Sequence, residues 1–137
     1  MHVKQIMSSP VITIELDDNL TVVGEKFLNT KFHHLLVVEN NKLFGVVSDR
    51  DLLKAISPKI GTAAEKVNDV ATLNKKVHQI MTRRPICIQQ EQSVHDAIAL
   101  FLDNNISCIP VVDSSNIPVG IISWRDILKT IKKPTQK

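Results

Sequence analysis

At 137 residues the chain is about one domain long, and its 43% hydrophobic and 23% charged content is that of an ordinary soluble globular protein. No apolar run reaches the length needed to span a bilayer, and the first residues lack the basic, apolar and small-residue sections of a signal peptide, so the expectation is a cytoplasmic protein with no membrane partner. A net charge of +3 leaves a nucleic-acid partner open, but Phe27, Phe32, Phe44, Phe101 and Trp124 do not alternate with basic residues, and no platform for stacking bases is visible.

In chain order, residues 3–7 read as a short helical turn, followed by Pro10 and an extended Val11-Ile12-Thr13-Ile14. Asn19 is a helix cap, after which Leu20, Val23, Phe27 and Leu28 recur at helical spacing as one apolar face. A buried-type strand, Leu35-Leu36-Val37-Val38, leads through the polar turn Glu39-Asn40-Asn41-Lys42 to a second strand at residues 44–47, which runs into a helix. Pro58 favours the end of that helix near Ser57. Thr62-Ala63-Ala64-Glu65 has the spacing of a capping box, which predicts a connector helix over residues 62–70.

The pattern then starts again. Val3-Lys4-Gln5-Ile6-Met7 returns as Val77-His78-Gln79-Ile80-Met81, 74 positions on. Ser93 takes the capping place, with Val94, Ala97, Ile98, Phe101 and Leu102 as the apolar face. Ile109-Pro110-Val111-Val112, the turn Asp113-Ser114-Ser115-Asn116 and a strand at residues 119–122 follow. One extra residue in that turn lengthens the offset to 75. The layout is therefore two βαββα repeats, residues 3–56 and 77–133, with a connector at 57–76. Two copies are too few for a solenoid. The fold expected is α/β, with the repeats related by a pseudo-twofold axis in one compact module.

The chemistry-bearing unit is Gly45-Val46-Val47-Ser48-x-x-Asp51, repeated as Gly120-Ile121-Ile122-Ser123-x-x-Asp126. A helix N-terminus offers unpaired N–H groups and positive potential, which suit a phosphate, and serine adds a hydroxyl there. Aspartate three residues on offers acceptor oxygens to a vicinal diol such as ribose, as acidic side chains do in dinucleotide folds. The same spacing also serves as a simple capping box that binds nothing. Its recurrence at matching places in a repeat favours a ligand.

Both copies resemble the CBS domain, named for cystathionine beta-synthase, on the Ile-Met openings, the proline-led strands through Thr13-Ile14 and Cys87-Ile88, the Pro110-Val111-Val112-Asp113 stretch and both Gly-h-h-Ser-x-x-Asp units. The resemblance implies a stand-alone CBS pair with clefts between its repeats for adenosine-containing ligands: AMP, ADP, ATP, S-adenosylmethionine or NAD. By position it implies that Asp51 and Asp126 hold ribose, and that Ser48, Ser123, Arg50 and Arg125 approach phosphate. Thr13, Ile14, His33, His34, Cys87, Ile88, Ser107 and Cys108 would wall the adenine. It also implies a homodimer. Leu36 stands where the second repeat has Pro110, and Asp49 where it has Trp124, so the two sites are not expected to be equal.

Other chemistry is not signalled. There is no nucleophile elbow, no Gly-x-x-x-x-Gly-Lys loop, no Gly-x-Gly-x-x-Gly and no metal spacing among His2, His33, His34, His78 and His95. Cys87 and Cys108 form no C-x-x-C motif and read as two reduced, largely buried thiols. The expected function is therefore a non-enzymatic regulatory sensor that needs no cofactor and signals to a separate effector protein. The alternatives are a nucleic-acid-binding CBS protein, which is not the partner expected, or an interaction scaffold with empty sites.

Overall fold

The structure, a computed structural model, describes residues 1–132. The basic end at residues 133–137, with the last residue of the expected second repeat, lies outside the described residues. After a 3-10 turn at Val3–Gln5 come β1 (Thr13–Glu15), α1 (Leu20–Leu28), β2 (His34–Glu39), β3 (Lys42–Ser48) and α2 (Asp49–Ala55). The connector holds α3 (Val67–Ala71) and a second 3-10 turn, Thr72–Asn74. Then follow α4 (Val77–Ile80), β4 (Thr82–Arg83), β5 (Ile88–Gln89), α5 (Val94–Asp103), β6 (Cys108–Val112), β7 (Pro118–Ser123) and α6 (Trp124–Ile131). Strand, helix, strand, strand, helix thus occurs twice, and the fold is α/β.

The chain forms two compact units, and their composition is the main surprise. One, the Asp51 unit, comprises Ile12–Asn40 and Phe44–Arg84. The other, the Asp126 unit, comprises Met1–Val11, Asn41–Leu43 and, among the described residues, 85–132. Each opening segment therefore belongs with the strands of the other repeat. In the Asp51 unit the sheet order is β1-β2-β3-β4, with Ile14 opposite Val37 in a parallel pair and β4 antiparallel to β3 through Gly45 with Arg83 and Val46 with Thr82. In the Asp126 unit the order is β5-β6-β7, with Ile88 opposite Val111 and Ile109 opposite Ile122. There the first opening segment joins the sheet by one bridge: Ser8 N–H donates to Ile121 O at 2.8 Å, and Ile121 N–H donates to Ser8 O at 3.0 Å.

The motif glycines explain why these openings fit. A Cβ on Gly45 would lie 2.7 Å from Met81 Sδ and 2.8 Å from the Thr82 carbonyl. A Cβ on Gly120 would run into the Met7 side chain. Glycine inside a strand commonly marks such a close approach. Each Ile-Met opening is thus the counterpart of a Gly-h-h-Ser strand.

Each unit has its own core. Ile14, Leu20, Val23, Leu35, Val37, Val47, Val77 and Met81 form one; Val3, Ile88, Ala97, Phe101, Ile109, Val111, Ile122 and Ile127 form the other. The caps are as read: Asn19 Oδ1 accepts from Val22 N–H at 3.1 Å and Ser93 Oγ from Asp96 N–H at 3.1 Å. The apolar helix faces are narrower than expected. Leu28 and Leu102 are 87% and 71% exposed, because at about 100° per residue they stand off the stripes of Leu20-Val23-Phe27 and Val94-Ala97-Phe101. The connector helix also begins later than expected. The Thr62 hydroxyl donates to Lys59 O at 2.6 Å and accepts from Ala64 N–H at 3.3 Å, and Glu65 Oε1 accepts from Gly61 N–H at 2.9 Å, so the box does not close there. The Lys66 N–H donates to Asp69 Oδ2 at 2.8 Å and α3 starts at Val67 instead. Among the described residues no helix is long and apolar enough to cross a membrane.

Candidate functional site

In the Asp51 unit, β3 ends at Ser48 and α2 starts at once. Ser48 Oγ accepts from Asp51 N–H at 3.0 Å, and Asp51 Oδ2 accepts from Ser48 N–H at 2.9 Å. The Ser-x-x-Asp spacing is therefore a closed capping box. Asp51 is half-buried and Arg50 exposed. The chain before β2 is tied to the same place: Asp49 N–H donates to His33 O at 2.9 Å, and His33 Nδ1 lies 2.9 Å from Asp49 Oδ2, a hydrogen bond in which the ring N–H donates. That bond holds the Asp49 carboxyl below its ordinary range. Burial lowers the pKa of His34, against the raising influence of Asp49 and Asp51, so His34 senses both carboxylates. Thr13, opposite Leu36 one strand over, is half-buried, whereas Ile14 is in the core.

The Asp126 unit repeats the plan with different side chains. Ser123 Oγ accepts from Asp126 N–H at 3.4 Å, and Asp126 Oδ2 accepts from the Ser123 N–H at 2.8 Å and the Ser123 hydroxyl at 3.1 Å. Asp126 is 8% exposed, the one buried polar side chain among the described residues. Cys108 stands opposite Ser123 in the β6–β7 register, and Ser107 precedes it. Ile88 is in the core, and Cys87 just before it is exposed rather than buried, with partial desolvation raising its thiol pKa. Cys108 is buried, and no disulfide joins the two. Arg125 is exposed. Trp124, in the place of Asp49, packs its ring on Phe101 with centroids 4.8 Å apart.

Each repeat's proposed ligand residues thus lie within one unit. Ile14 and Ile88 have their side chains in the cores and their backbones in the sheet ladders, so neither walls a ligand as the resemblance implied. Sequence reasoning passed over Ser8, whose Oγ donates to Asp126 Oδ1 at 3.4 Å. Its signal was available: Thr82 stands 74 positions on, so a hydroxyl follows the Met in both openings.

The family model of the CBS domain matches residues 3–58 and 77–133. The chain belongs to the CBS domain family. A CBS domain-containing protein of Dictyostelium discoideum is 33% identical over 133 residues, covering 96% of this chain and 91% of that protein. Inosine-5′-monophosphate dehydrogenase of Methanocaldococcus jannaschii is 31% identical over 131 residues, covering 95% of this chain but only 23% of the enzyme. The CBS chain therefore spans less than a quarter of that relative, and the enzyme's activity does not pass to it by this likeness. Among solved structures, the CBS domain pair of protein MJ0100, in complex with 5′-methylthioadenosine and S-adenosyl-L-methionine, is 27% identical, with a TM-score of 0.78, and the match covers 96% of this chain and 95% of that one.

Proposed function

We propose that this CBS pair is a non-enzymatic regulatory module that senses an adenosine-containing ligand at the Ser48–Asp51 and Ser123–Asp126 helix starts. The observation that carries the reading is the doubled unit itself: a serine-capped helix start with an aspartate three residues on, in both repeats of a CBS chain. An ionised carboxylate has room for about four hydrogen bonds, so a capping bond does not exhaust it. The remaining acceptor sites suit ribose hydroxyls. Ser48, Ser123, Arg50 and Arg125 are assigned to phosphate where the ligand has one. Thr13, His33 and His34 in one unit, and Cys87, Ser107 and Cys108 in the other, are assigned to the base.

The MJ0100 pair, with its 5′-methylthioadenosine and S-adenosyl-L-methionine, supports ligands that lack phosphate, and these join AMP, ADP, ATP and NAD as candidates. Asp49 adds a carboxylate beside Asp51 that Trp124 does not supply beside Asp126. The Asp51 site accordingly favours ligands with fewer phosphates. The module acts in the cytoplasm as a homodimer on a separate effector protein and needs no cofactor.

The test is calorimetric titration of the full chain with 5′-methylthioadenosine, S-adenosylmethionine, AMP, ADP, ATP and NAD, repeated on Asp51→Ala and Asp126→Ala. Each substitution removes charge-assisted hydrogen bonds of about 1.5–3 kcal/mol and should weaken its own site about 10- to 100-fold. Absence of heat and of thermal shift with every ligand would refute the reading. The closed capping boxes favour a second one, a scaffold in which both aspartates serve only their helices. It predicts variants that lose stability and keep whatever affinity the parent has.

A further inference from the structure

We propose that Ser8 is a ligand-positioning residue of the Asp126 site, supplied by the opening segment of the first repeat; this rests on the adenosine-binding reading of that site. Asp126 is nine-tenths buried, and the Ser123 N–H and hydroxyl both occupy Oδ2. Oδ1 is the oxygen left for a ligand hydroxyl, and Ser8 is the side chain that faces it. The 3.4 Å separation is well beyond the ordinary O–H···O distance of about 2.7–2.8 Å, so the bond is long and weak and the pair leaves room for a closer ligand partner.

The backbone beneath it has no such slack. Two hydrogen bonds to Ile121 fix Ser8 on both sides, and Met7 before it packs against Gly120. A hydroxyl on a fixed backbone beside a buried carboxylate can donate to Oδ1 and accept from a second ligand hydroxyl through its own oxygen. Together the two residues present a paired recognition set for a vicinal diol. The placement recurs. Thr82 pairs with Val46, two residues before Ser48, just as Ser8 pairs with Ile121, two residues before Ser123.

The test uses the full chain with Ser8→Ala and Ser8→Thr. Binding of 5′-methylthioadenosine, and of 2′,3′-dideoxyadenosine as a probe without the diol, is followed by Trp124 emission and by calorimetry. Losing one neutral hydrogen bond should weaken 5′-methylthioadenosine about threefold to tenfold in Ser8→Ala. Ser8→Thr, which keeps the hydroxyl, should restore it, and affinity for the dideoxy probe should not change. Unchanged affinity in Ser8→Ala, or equal weakening of both probes, overturns the assignment and leaves the adenosine reading standing. If the parent chain binds neither probe, the comparison passes to whichever of the six titrated ligands it does bind, and a parent that binds none of them removes the adenosine reading and the Ser8 assignment with it. Should Ser8→Ala not fold, Ser8→Cys, with a weaker donor of similar size, carries the same comparison, and unchanged affinity there overturns the proposal.

Discussion

Gly45 and Gly120 occupy equivalent places, yet replacing each with alanine should have unequal consequences. At Gly45 the new methyl would stand 2.7 Å from Met81 Sδ and 2.8 Å from the Thr82 carbonyl oxygen. That carbonyl belongs to β4, held against β3 by the pairing of Val46 with Thr82 and Gly45 with Arg83, so relief requires the strands to part. At Gly120 the three nearest atoms all belong to the side chain of Met7, an adaptable residue whose Cγ and Sδ can move to another rotamer. Inserting a methyl into a packed site costs about 1–3 kcal/mol. Gly45→Ala belongs at the upper end of that range and Gly120→Ala near the lower, at about 1 kcal/mol. Urea unfolding with linear extrapolation measures both. A second substitution separates the causes: Met7→Ala should couple to Gly120→Ala by at least about 0.5 kcal/mol, whereas Met81→Ala should not rescue Gly45→Ala, because the carbonyl remains. If Gly45→Ala proves as stable as the parent, or less harmful than Gly120→Ala, the close-approach explanation of these glycines is wrong.

Burial keeps the His34 pKa below its ordinary 6.5, so the unfolded chain takes up that proton at higher pH than the folded one. The contribution to stability is whole above 6.5 and is lost as pH falls from there through the folded value; unfolding free energies across this range should decline less in His34→Gln, and a ring titration by NMR with a midpoint above 6.5 would contradict it. Native-state alkylation followed by mass spectrometry should mark exposed Cys87 first and buried Cys108 only on unfolding. Because partial burial raises the Cys87 pKa, its rate should still be climbing as pH passes the ordinary thiol value of 9.0, and a plateau reached earlier would count against that environment.

The repeat made most of the fold legible. Capping residues, turn asparagines and apolar spacing each act within a few residues, so Asn19, Ser93 and the Asn40-Asn41 turn, with φ of 52° and 66°, could be read directly. Helix faces were legible only to their centres, which is why Leu28 and Leu102 were misplaced. The connector helix was displaced because Thr62 and Glu65 bond into the preceding turn, to Lys59, Ala64 and Gly61, and spacing alone does not show that choice. The exchange of opening segments was not legible, since Met7 is as near in composition to Gly45 as to Gly120; only the tertiary pairing decides which methionine meets which glycine. At the site, sequence found the serine and aspartate of each helix start but passed over Ser8, which acts on a residue 118 positions away.

The exchanged openings also determine what severed halves of this chain would do. A cut in the exposed stretch before α3 gives two fragments, each carrying the opening that completes the strands of the other. Kept apart, a fragment has an opening segment without its own glycine groove and a groove without its methionine. Mixed, the two halves are reciprocal templates, and reconstitution from separately expressed pieces should require both. A single repeat produced alone has one remaining route to closure, trading arms with an identical copy, which makes a swapped pair of like halves the natural by-product of any truncation at the connector.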